Sequence, residues 1–114
     1  MICLRPSEKS SEAMKEKIFN SYATQVASLY GISEAEMFSP DKSKSVVDAR
    51  YMLMYLCKMR PIRVMVIKDL FEKRDLVMHH STVVHGIKVA EKMMKLDPDF
   101  KTAVKSISRE KELA

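Results

Sequence analysis

The sequence predicts an all-α fold. Two observations carry that expectation. Apolar residues recur at a period near 3.6 along most of the chain, and no run alternates as a half-buried strand would. Gly and Pro are also sparse, two and four in 114 residues, which leaves long stretches without breakers. A chain of this length is expected to form one domain with one modest core. The expected partition is a flexible N-terminal tail over 1–10, a helical domain over 11–107 and a flexible C-terminal tail over 108–114.

The first helix is expected over 11–30, with Met14, Ile18, Tyr22, Val26 and Leu29 as its buried stripe and Gly31 as its stop. Ser33-Glu34-Ala35-Glu36 has the form of a capping box and predicts a short helical turn. A polar, partly basic loop follows over 39–45, including Asp41, Lys42 and Lys44. A long helix is predicted over 46–59, with Val47, Tyr51, Met54 and Leu56 inward. Pro61 suits the first turn of another helix over 61–72, whose apolar positions are Ile62, Val66, Ile67, Leu70 and Phe71. After a charged connection at 72–75, His79 opens a helical pattern that runs to Lys95. Asp97-Pro98 ends it and starts a last helix, with Phe100, Val104 and Ile107 inward.

The helix that starts near His79 is divided by chemistry. Val83, Ile87, Ala90 and Met94 share one face at spacings of four, three and four. Ser81, His85, Lys88, Lys92 and Lys95 share another, at four, three, four and three. One side is suited to a core, and the other offers hydrogen-bond donors and positive charge. A helix that reads base edges in a major groove needs that division, with its first turn nearest the bases.

Charge is uneven along the chain. The net of +5 divides into −2 over 1–41, +6 over 42–74 and +1 over 75–114. A basic middle third suggests phosphate contacts, and a solvated helical surface is the plainer reading of the same pattern. Two glycines, Gly31 and Gly86, exclude a glycine-rich phosphate loop, so neither nucleotide binding nor any other enzyme chemistry is expected. Cys3 and Cys57 form neither a disulfide framework nor a zinc spacing. His79, His80 and His85 lack accompanying cysteines or carboxylates, and five residues separate His80 from His85, so no metal or other cofactor is expected. The ten methionines read as core filler. No signal peptide is expected, and no apolar run approaches the roughly 18 residues of a membrane span. The expected compartment is therefore the cytoplasm.

From Ile18 to Ile107 the chain resembles the C-terminal DNA-binding domain of the bacterial replication initiator DnaA. Val26 to Ile32 matches that family's first helix and its exit, and Lys42-Ser43-Lys44-Ser45-Val46 matches its basic loop. Arg50, Tyr51, Met52, Tyr55 and Leu56 match the long helix, and Ile67-Lys68-Asp69-Leu70-Phe71 the helix before the turn. His80-Ser81-Thr82-Val83-Val84-His85 matches the family signature from its His onward. The departures are equally specific. Met78-His79 stands where the signature has Arg-Asp, Asp48 where a basic residue is frequent, and Glu72-Lys73 where two glycines follow the Phe. The Phe71-to-His80 distance is four residues longer than the family's. An ungapped match would set Arg74-Asp75 on the signature but put Leu76, Val77 and Met78 where base-contacting polar residues belong. The gapped match is preferred. The four extra residues, about one helical turn, are then expected to lengthen the recognition helix at its N-terminus.

The resemblance implies a helix-turn-helix that enters the major groove and a basic loop that reaches a neighbouring minor groove. It implies DNA contacts by Lys42, Lys44 and Arg50 on the loop and long helix, and by His79, His80, Ser81, Thr82, His85 and Lys88 on the recognition helix. The expected protein is a domain standing alone without the ATPase. It would bind double-stranded DNA with a sequence preference and act in replication or transcription control, without nucleotide or membrane. A replication or transcription protein is a second possible partner, and the composition suits a phage or mobile element. The alternative is a protein-interaction module on the same fold that no longer recognises specific DNA.

Overall fold

The computed structural model describes the backbone of residues 6–40, 42–60 and 62–113, and the side chains of 14–40, 42–60 and 62–107. Cys3, Asp41 and Pro61 lie outside the described residues. Six helices and no strand occur among the described residues: α1 (Pro6–Tyr30), α2 (Glu34–Met37), α3 (Lys44–Met59), α4 (Val64–Lys73), α5 (His80–Leu96) and α6 (Pro98–Leu113). Helix α1 therefore starts five residues before the expected Ser11, and α6 continues beyond Ile107 to Leu113.

Helix α3 is central. It packs against α1, α2, α4, α5 and α6, most heavily against α5 and α1. Its burial is accordingly broader than a single stripe: Val46, Ala49, Met52, Leu53, Met54, Leu56 and Cys57 are all buried, while Val47 and Tyr51 are only half-buried. Burial pushes the free Cys57 thiol well above its ordinary range, which makes it unreactive.

Helix α1 presents Ile18, Phe19, Tyr22, Ala23, Val26 and Ala27 to the core. The expected stripe is thus corrected at both ends, since Met14 is 64% and Leu29 51% exposed. Small residues explain the shift. Ala23 and Ala27 carry little apolar signal, yet they sit fully inside the seam between the helices. Rings fill the space at the α1–α2–α4 junction. Phe19 meets Phe71 edge-on at 5.2 Å between centroids, and Phe38 lies 5.8 Å from Phe19 and 5.5 Å from Phe71.

Two helices end with the same hydrogen-bond pattern. After α1, Gly31 takes φ 67°, the Gly31 N–H donates to Ser28 and the Ile32 N–H donates to Ala27. After α4, Asp75 takes φ 68°, the Asp75 N–H donates to Glu72 and the Leu76 N–H donates to Phe71. Asp is among the few residues other than Gly that enter this left-handed region readily. The stop at Asp75 decides what the longer connection does. Residues 76–79 are not helical, His79 has an extended backbone and α5 begins only at His80, so the four extra residues do not lengthen the recognition helix. Leu76 and Met78 instead pack on the core. Helix α2 has the capping box expected of Ser33 and Glu36, with each side chain bonded to the other's backbone N–H.

Candidate nucleic-acid interface

Helix α5 is divided as its spacing predicts. Val83, Ile87 and Ala90 are buried and Met94 is half-buried; Ser81, His85, Lys88, Lys92 and Lys95 are all exposed. His80 and Thr82 are exposed as well. Gly86 sets how closely this helix seats on α3. A Cβ there would lie 2.5 Å from Met54 Sδ and 2.8 Å from Tyr51 Cδ1, so the close approach depends on its single hydrogen. One residue earlier, the His85 imidazole meets the Tyr51 ring edge-on at 6.1 Å between centroids.

That approach leaves a cleft between the basic loop and the front of α5. It is lined by Pro40, Lys42, Val47, Arg50, Tyr51, Met54, Leu76, Met78 and Thr82. Three of the residues expected at the site, Lys42, Arg50 and Thr82, therefore share one concavity that no carboxylate lines among the described residues. Lys44 stands apart from it. Its side chain is 89% exposed, pairs with Asp48 at 3.4 Å, and borders a second groove with Leu29, Tyr30, Asp48, Met93, Asp97 and Asp99. In that groove burial first, then Asp48 and Asp97, push the Tyr30 phenol up to about 12, so it stays neutral.

Arg50 is turned inward. Its Nε donates to the Met37 carbonyl at 2.7 Å and its guanidinium also donates to the Ser39 carbonyl. The side chain thus holds the exit of α2 and the start of the basic loop against α3. Within this structure it positions the loop.

His79 occupies the N-cap of α5 without a side-chain cap bond, and the first turns of α5 and α3 carry no acidic residue. Both helices therefore present a positive dipole end with no acidic residue of their own first turn against it, the polarity that phosphate groups prefer.

Arg74 has a structural role that sequence reasoning missed. Its guanidinium bonds Asn20 Oδ1 at 2.8 Å and Glu34 Oε1 at 2.7 Å and lies 4.3 Å from the Phe38 ring centroid. The hydrogen bond from Arg74, more than any other influence, holds the Glu34 carboxyl below its ordinary range. Arg74 thereby ties the end of α4 to α1 and α2, across 54 and 40 positions of sequence. No local pattern could have shown these pairings. Gly86 did leave a signal, because a glycine inside a helical period usually marks a close approach.

A short helix, a non-helical link and a second helix whose outer face is basic define the helix-turn-helix class of DNA-binding domain. Comparison with known proteins agrees. The helix-turn-helix of bacterial DnaA proteins matches residues 22–89, and the chain belongs to that family. It is 32% identical over 80 residues to the chromosomal replication initiator protein DnaA of Lachnoclostridium phytofermentans, covering 69% of this chain and 17% of that protein. The same-named proteins of Aquifex aeolicus and Rickettsia bellii are 32% and 31% identical over 80 and 81 residues, covering 69% and 70% of this chain and 19% and 17% of theirs. The chain thus spans less than a fifth of the relatives it matches. No solved structure matches it. Among the described residues, no helix is long and apolar enough to cross a membrane, and no group of three or more His, Cys, Asp or Glu could hold a metal ion.

Proposed function

We propose that this chain is a sequence-preferring double-stranded DNA-binding domain acting in the cytoplasm in replication or transcription control, with no ATPase chemistry among its own residues. One observation carries the reading: Lys42 of the basic loop and Thr82 of the recognition helix line a single cleft. A groove-inserted helix and a phosphate-gripping loop must act on the same duplex, and this arrangement sets them side by side. His79, His80, Ser81 and Thr82 then face base edges, Lys42, Lys44 and Lys88 grip phosphates, and His85 borders both, while Arg50 fixes the loop. Kinship to replication initiator proteins supports a role at initiator sites.

Titrating a fluorescent random duplex across salt concentrations tests this. Affinity should fall steeply with salt, and Lys42→Ala should reduce the log–log slope by about 0.9, as loss of one phosphate contact does. Affinity indifferent to salt would contradict the reading.

A protein-interaction module is the second reading. Two observations favour it: Arg50 is engaged by the Met37 and Ser39 carbonyls, and Lys44 is paired with Asp48. It expects no duplex binding at moderate salt.

A further inference from the structure

The link between α4 and α5 alternates inward and outward. Leu76 and Met78 pack on the core and line the basic cleft, whereas Val77 between them is 76% exposed. Both ends of the link are fixed. Its start is set by the left-handed Asp75 and the Leu76 N–H bonded to Phe71, and its end by His79 as the N-cap of α5. The Val77 isopropyl group is therefore held in water by ordered neighbours, three residues ahead of the recognition helix. Of the large exposed apolar side chains among the described residues, Met14, Leu29, Met59, Met65, Val77 and Leu96, it alone lies on this link.

In sequence, donors follow at His79, His80, Ser81 and Thr82, and Lys42 lies across the cleft that the flanking Leu76 and Met78 line. Val77 has no donor or acceptor in its side chain, so it cannot grip a phosphate or a polar base edge. The apolar feature that B-DNA offers in its major groove is the thymine C5-methyl group. We propose that Val77 packs against a thymine methyl and is a specificity-determining residue, selecting a T·A pair next to the bases read by α5. This rests on the DNA-binding reading above.

The test is a thermodynamic cycle. A preferred duplex is selected from a random library with the full chain, and each thymine is replaced in turn by deoxyuridine, which lacks only the methyl. Wild type should lose about fourfold in affinity at one thymine, the effect of one buried methyl-sized group. Val77→Ala, whose thermal melt should match wild type because the site is exposed, should lose little or nothing at that same thymine. Val77→Ile should retain the discrimination. A selected site without thymine would overturn the proposal, as would equal deoxyuridine losses in wild type and Val77→Ala. In both cases duplex binding persists and the DNA-binding reading stands. No duplex binding at all would overturn both.

Discussion

Two grooves border α3, and they differ in charge. The first uses Val47, Arg50, Tyr51 and Met54 of α3 and is closed by Lys42, Thr82 and the α4–α5 link, without a carboxylate among the described residues. The second uses Lys44, Asp48 and Met52 and is closed by Tyr30, Asp97 and Asp99. The first α3 set falls at i, i+3, i+4 and i+7 and the second at intervals of four, so they form two faces of one helix. A polyanion is drawn more strongly to the first than to the second, where Asp48, Asp97 and Asp99 outnumber Lys44. Overall charge would not show this, because +5 spread evenly favours no side. It is the placement of Asp48, Asp97 and Asp99 at one groove, and of Lys42 and Arg50 at the other, that makes the two sides unequal for a polyanion.

The comparison depends on α5 being seated correctly, since Thr82 walls one groove and Met93 the other. Val83→Asp should remove both. It places an unpaired charge at a fully buried position, costing about 3–5 kcal/mol out of a typical total of about 5–15. Circular dichroism should show loss of the cooperative melt, whereas Lys92→Ala, on the exposed face, should melt as wild type does.

Gly86→Val sharpens the test by acting first on the wall of the basic cleft. The added carbons meet Met54 and Tyr51, which line that cleft. Overpacking of this kind costs about 1–3 kcal/mol, measurable by urea titration, and should also weaken duplex binding. An unchanged midpoint would mean that α5 does not approach α3 as closely as the structure shows.

A smaller effect is expected at Arg74, which anchors the link walling the basic cleft. Arg74→Ala should cost about 1 kcal/mol, mostly from lost stacking and hydrogen bonding, because the pair with Glu34 is partly exposed and screened. The pH dependence follows from the lowered Glu34 carboxyl. A depressed acid stabilises the fold above its unfolded pKa, about 4.3, and that contribution is lost as pH falls through the folded value. The gap between wild type and Arg74→Ala should therefore be full at neutral pH and narrow below about pH 4. A gap independent of pH would remove Glu34 as the relevant partner.

The same contrast explains what could be read from the sequence. Helix α5 was legible because one helix face meets one core, so period alone separates Val83, Ile87 and Ala90 from Ser81, His85 and Lys88. Helix α3 was less so. Five other helices pack around it, so Val46, Met52 and Cys57 are buried off the expected stripe. The role of Arg50 and Arg74 was not legible, because their partners, Met37, Ser39, Asn20 and Glu34, lie at separations that no local pattern encodes. In the sequence Asp75 reads as part of a charged connection. Its left-handed backbone is what ends α4 and leads the chain into a non-helical link.

The most direct test of the basic cleft as a recognition surface is competition binding between a selected duplex and its scrambled counterpart. Thr82→Ala and Ser81→Ala should each reduce the preference for the selected duplex by about 1–3 kcal/mol, the scale of a good base contact, while leaving binding to the scrambled duplex nearly unchanged. Lys42→Ala should weaken both duplexes alike. A wild-type chain that binds the two equally, or a Thr82→Ala variant that loses both together, would contradict specific recognition by the front of α5.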